Sequence, residues 1–209
     1  VLSAVSDVLQ ELLSEKQGRI PLNFAEHRDK LLNIHEFLLS YPDPEPKDEE
    51  LETAKSKTRL AGEKEEYLVT DPFTMAINSV RGRAFQSFVL FVYQDGKKFT
   101  KTDKTKIDED VKALYEKVLK TENTRAIMFM FGHYIASFYF RDRDWICDLL
   151  PQIFPQELEK RHLYLASWEG YLANNLYEEI FLDKNFQALY EKGLSLTGAE
   201  DKTRRHFKE

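Results

Sequence analysis

Cysteine occurs once in this chain, at Cys147. One thiol excludes an internal disulfide framework and suits a reducing compartment, so a cytoplasmic location is expected. Glycine and proline are sparse as well, at 8 and 7 of 209 residues, where an all-β fold would need many more turn signals. No apolar run reaches the roughly 20 residues of a membrane-spanning helix, and no charged-then-apolar leader opens the chain. The phosphate-cradling GxxxxGK[ST] and the Gly-rich dinucleotide turn are both missing. A net charge of −6 argues against nucleic acid as the main partner. No cofactor is expected.

What is present is helical periodicity. Between Arg125 and Arg141 lie fifteen residues whose only ionisable side chains are His133, Tyr134 and Tyr139. Four phenylalanines, two methionines and two isoleucines leave this stretch no polar face, so as a helix it must be buried all round. A strand is the rival reading, since aromatics and isoleucine favour sheets. Length, the Met and Ala content, and Thr124 as an N-cap favour a helix over 126–140. Gly132 and Ser137 then read as small residues that admit a neighbouring helix.

A first helix is expected to run to about Lys16, with Gly18 as its stop, and Asn23 to cap a second over Phe24–Ser40. Arg28 lies on the apolar face of that helix by its stem. Pro42, Pro44 and Pro46 imply an extended, polyproline-like connector, followed by a charged, weakly packed helix over Asp48–Glu66. Asp71-Pro72 is a helix start, and apolar spacing from Phe73 to Phe91 predicts one long core helix ending at Asp95-Gly96. Gly82 inside it implies a close backbone contact or a kink. Lys97–Lys106 reads as a basic loop and Ile107–Lys120 as an amphipathic helix. Trp145–Leu150, stopped by Pro151 and Pro155, then Arg161–Asn174, Leu176–Leu182 and Asn185–Lys192 complete the packed part.

The organisation expected is an N-terminal helical pair (1–41), a Pro-rich connector with a charged helix (42–70), a main helical body (71–193) and a tail (194–209). Val1 is not a methionine and the tail reads as a helix barely begun, so both ends look cut from something longer. Aromatic-rich helices centred near Phe88, Phe131 and Trp168 recur at about 40 residues, the period of HEAT-type pairs. The fold class is therefore all-α: packed helical hairpins, with a HEAT- or TPR-like α-solenoid segment as one way to stack them.

Candidate chemistry is thin. The five histidines form no HExxH, and His27 and His35 are too far apart to share a metal, so no metal site is expected. Cys147 lies in an apolar helix and reads as an inert thiol; His133 reads as a core histidine with a hydrogen-bond partner. Arg81 and Arg83 around Gly82, with Arg141 and Arg143 in an alternating-charge run, are candidates for contacting a partner or an anion. The competing reading has these arginines tying helices together through carboxylates. The lysines of the 97–106 loop offer a weak nucleic-acid contact, although that loop holds one aromatic and also Asp103.

Asp71-Pro72, the run Asn78–Ala84, Phe131-Gly132, Phe138-Tyr139, Asp144-Trp145, Phe154-Pro155 and Trp168–Leu172, in that order, resemble motifs of a known family. They are similar to the helical C-terminal regions of large prokaryotic STAND-type NTPases, including the antiviral ATPases. The resemblance spans about 71–190, and 1–70 carry none of it. It implies a sensor or scaffold segment that recognises a trigger protein, while an NTPase module elsewhere hydrolyses ATP. No catalytic residue carries over. The two functional readings are a non-catalytic protein-recognition segment, or an enzyme with a groove site near Arg81, Arg83 and His133. Having no loop to cradle phosphates, the purified chain should show no ATP turnover above a buffer blank; turnover that survives repurification would refute the first reading.

Overall fold

The computed structural model of the chain describes residues 2–14, 23–50 and 71–195. Among these residues the fold is all-helical. The expected stop at Gly18, most of the charged 48–66 helix and the tail lie outside the described residues. The elements are α1 (Leu2–Leu13), α2 (Phe24–Leu39), α3 (Pro72–Asn78), α4 (Val80–Asp95), α5 (Glu109–Thr121) and α6 (Arg125–His133). They continue as α7 (Ile135–Tyr139), α8 (Arg143–Ile153), α9 (Arg161–Leu172), α10 (Glu178–Phe181) and α11 (Lys184–Ser195).

Helix α6 is the centre. Every residue from Ala126 to Gly132 is buried. Its start is capped as the sequence implies: the Thr124 hydroxyl accepts from the Ile127 amide at 3.4 Å. Glu49, across the molecule in sequence, accepts from the Ala126 amide at 2.9 Å. Helix α9 lies against α6 and α4 packs on its other flank. Phe131 is fully enclosed, its ring 4.9 Å edge-on to both Phe85 of α4 and Tyr115 of α5. The three aromatic-rich helices thus pack neighbour to neighbour, α4 on α6 on α9.

The α6–α9 contact is backbone against backbone. A Cβ on Gly132 would overlap the Ser167 carbonyl, and a Cβ on Gly170 would overlap that of Phe129. Ser167 donates to the Met128 carbonyl at 3.1 Å across the same crossing. Ser137 has no such role. It is partly exposed, with its hydroxyl 3.4 Å from that of Tyr93 and its carbonyl accepting from Arg141.

Four local expectations are corrected. The 126–140 helix breaks at Tyr134, because the Asn174 side chain takes the His133 carbonyl at 2.5 Å and the Ser137 amide turns to the Tyr134 carbonyl at 2.9 Å. The 72–95 helix breaks at Ser79, whose extended backbone ends α3 and whose hydroxyl caps α4 through the Gly82 amide at 3.1 Å. Gly82 is needed there because the Ala76 carbonyl sits where its Cβ would be. Pro151 lies inside α8 instead of ending it, since the final turn buries Ile153 and Phe154 completely. That burial outweighs the amide lost at proline. Lastly, 41–45 form bends with a cis Asp43-Pro44 bond, not an extended connector. Asp43 there accepts from the Val80 amide at 2.9 Å through its carboxylate and from the Arg81 amide at 2.9 Å through its carbonyl. Asn23 stands at the start of α2 as expected, but its side chain bonds Glu26 and no backbone amide.

Phe131→Ala should destabilise the fold by about 3–5 kcal/mol, the cost of a large buried cavity. Gly132→Ala should cost roughly 1–3 kcal/mol or more, by forcing α9 away. Lys101→Ala, in the exposed loop, should stay within about 0.5 kcal/mol. Denaturant melts with equal slopes measure all three. If Phe131→Ala melts like Lys101→Ala, α6 is not the core.

Candidate functional site

The four arginines singled out by the sequence do not converge; each has its own surroundings. Arg81 pairs with the buried Glu122 and donates to the Leu39 carbonyl at 3.1 Å and the Pro44 carbonyl at 3.2 Å. Glu122 also accepts from the Thr124 amide at 2.8 Å, so this pair locks the start of α6 to the end of α2. Arg83 grips both oxygens of Asp7 at 2.9 Å and donates to the Ile77 carbonyl at 2.8 Å, tying α1 to the α3–α4 junction. Arg143 donates to Asp183 at 2.6 Å. Burial works against charge on Asp183, but hydrogen bonds from the Asn185 amide, Arg143 and Tyr139 outweigh it and hold its carboxyl below the ordinary value.

Arg141 differs. Its guanidinium carbon lies 3.6 Å from the Tyr93 ring centre, and its side chain is partly buried. Among the described residues no carboxylate pairs with it.

Sequence reasoning missed the largest ion network, which surrounds Arg28. Its Nε and Nη2 meet Asp95 at 2.8 and 3.1 Å, Nη2 meets Asp108 at 3.0 Å, and Nη1 meets Asp110 at 2.7 Å. Lys98 adds contacts to Asp95, at 2.9 Å, and to Asp108. The signal available was one arginine on an apolar helix face; its partners are 67 to 82 residues away. This network joins α2, α4 and α5, and such a tie is structural.

His133 and the arginines do not form one groove. His133 packs between Phe129 (5.7 Å, stacked) and Tyr134 (4.8 Å, edge-on), and burial lowers its pKa, keeping the ring neutral. Its Nδ1 is buried without a hydrogen bond, while the Gly170 backbone hydrogen-bonds the ring, the kind of partner expected of a core histidine. Burial pushes the Cys147 thiol up, away from thiolate reactivity. Among the described residues no group of three or more His, Cys, Asp or Glu side chains is placed to hold a metal ion. No helix among them is long and apolar enough to cross a membrane. An open cleft of about 480 Å³ between α2 and α5 has Leu32 and Leu114 in its floor and Asp29, Glu36 and Lys117 at its rim.

The surface feature that stands out is apolar. Helix α10 sends only Ile180 into the core, which turns Tyr177, Phe181 and Leu182 outward beside Leu176. Phe181 and Leu182 are 54% and 62% exposed. Phe140, at the end of α7, stacks edge-on to Tyr177 at 5.1 Å and is itself 44% exposed. Single exposed apolar residues are ordinary, but a joined aromatic ridge is not. Glu178 and Glu179 flank it in the open.

Comparison with known proteins returns no matching family model, no similar curated protein and no similar solved structure. The resemblance to STAND-type NTPases therefore rests on the sequence motifs alone.

His35 is the titratable core group. Its Nδ1 faces the Leu31 carbonyl at 2.8 Å and so carries the proton, and Nε2 lies 3.0 Å from the Ser87 hydroxyl. Burial depresses its pKa from 6.5 to about 4. As pH falls below 6.5 the unfolded chain takes up a proton that the fold refuses. Stability is lost through that window, and the loss is complete near pH 4, at on the order of 3 kcal/mol. His35→Gln removes this contribution, so the stability gap between wild type and variant should shrink from pH 6.5 to 4 in denaturant melts. A gap constant with pH would show that His35 is not held neutral.

Proposed function

We propose that this chain is a non-catalytic protein-recognition or scaffold segment of a larger protein, serving as the sensor part of a prokaryotic antiviral NTPase of the STAND type. The observation that carries the recognition reading is the exposed ridge of Phe140, Tyr177, Phe181 and Leu182. Exposed aromatic residues are enriched in protein-contact surfaces, whereas an enzyme gathers polar groups in an enclosed pocket. Arg81, Arg83 and Arg143 are held by Glu122, Asp7 and Asp183, which favours a structural role for them over catalysis. The stacking of α4, α6 and α9 fits a solenoid-like segment of helical pairs, a form that offers extended binding faces. The STAND assignment is supported by the motifs between Asp71 and Leu172.

A test uses proteins captured on the immobilised chain, each then purified and titrated against it. The double variant Phe181→Ser, Leu182→Ser touches exposed side chains and should keep its stability within about 0.5 kcal/mol. It should bind the purified partner at least about tenfold more weakly, as expected for loss of an interface anchor. Equal binding by parent and variant would overturn the assignment of this ridge as the recognition surface.

A further inference from the structure

Among the described residues no carboxylate pairs with Arg141. Its guanidinium carbon lies over Tyr93, at 3.6 Å from the ring centre, and Nη1 donates to the Ser137 carbonyl at 3.2 Å. Nε is buried without a hydrogen bond, close to the backbone of Gly96. The carboxylates nearby in the chain are all engaged elsewhere. Asp95 serves Arg28 and Lys98, Asp103 accepts from the Thr100 amide at 2.6 Å, and Asp142 turns to Lys112 at 2.9 Å. Burial works against the charge on Arg141, and the Tyr93 hydroxyl is the group that favours it. An arginine half-withdrawn from water and left unpaired is costly unless a partner completes it.

The surroundings define what completes it. The Lys106 amide donates to the Arg141 carbonyl at 2.9 Å, which brings the basic loop alongside, with the ammonium groups of Lys101 and Lys104 exposed. Tyr93, under the guanidinium, and Phe140, its chain neighbour, are both more than two-fifths exposed, at 43% and 44%. A guanidinium over an aromatic ring favours a carboxylate as its further partner. The apolar rings beside it suit the neighbouring side chains of a peptide.

We infer that Arg141, stacked on Tyr93 and flanked by the 97–106 loop, receives a carboxylate from an acidic, aromatic-containing peptide segment of a protein partner. This rests on the recognition reading and names the partner's chemistry at a second point on the surface.

The probe is a fluorescein-labelled peptide of alternating glutamate and tryptophan, titrated by anisotropy against the full chain. A lysine–tryptophan peptide and an oligothymidylate at the same salt are the comparisons. The glutamate peptide should bind tightest. Arg141→Gln should weaken it about tenfold or more, Arg141→Lys less, and Lys30→Gln, exposed on α2, not at all. Because Arg141→Gln removes partly buried atoms, Lys101→Gln with Lys104→Gln repeats the test at the open rim, with weakening of about threefold expected. Unchanged affinity in both variants overturns the inference, as does tighter binding of oligothymidylate or of the lysine peptide. A wild-type chain that ignores the glutamate peptide also overturns it. The recognition reading is judged separately, by the Phe181 and Leu182 variant against the captured partner.

Discussion

The close approach of α6 and α9 is the constraint on which the rest of the structure depends. Two glycines, Gly132 on α6 and Gly170 on α9, each face a carbonyl of the opposite helix where no Cβ would fit. Helices this near can exchange hydrogen bonds, and they do, from Ser167 to Met128 and from Asn174 to His133. The second of these takes the carbonyl that α6 needs to continue, so the same contact that fastens α9 also ends α6 at His133. With its position set on one side by α9, α6 presents Phe131 to Phe85 and Tyr115 on the other. The aromatic core then spreads outward through Phe138 and Trp145.

Electrostatics performs the next level of assembly. Three of the four arginines noted in the sequence, together with Arg28, each join elements distant along the chain. Arg81 with Glu122 is the most buried of these pairs, and its withdrawal from water is offset by further hydrogen bonds to Glu122 from Thr124 and Asn123. Such pairs specify which helix end meets which. Against that pattern the isolation of Arg141 carries meaning, and so does the outward turn of α10 beneath Tyr177 and Phe181.

The candidate surface was only partly legible in the sequence. Arg141 was visible as a member of a charge run, yet nothing in that run separates it from Arg143, which ends on Asp183 forty residues later. Phe181 and Leu182 read as ordinary apolar positions of a short helix. Which of them face outward depends on Ile180 reaching the core, and that is set by where α10 is held. Charge pairing and exposure are properties of three-dimensional neighbours, and chain spacing records neither.

Composition and periodicity by themselves determined the all-helical class, the burial of 126–132 and of Phe131 within it, the caps at Asp71 and Thr124, and the need for a small residue at Gly82 and Gly132. These follow from local backbone chemistry and from the cost of leaving apolar side chains in water. Tertiary structure alone decided the breaks at Ser79 and Tyr134 and the passage of α8 through Pro151. It also decided the turn at Asp43 and the pairing of Arg28, Arg81, Arg83 and Arg143. In each case a group far away in the chain competes for a backbone hydrogen bond or a charge, or buries enough apolar surface to overrule a local preference.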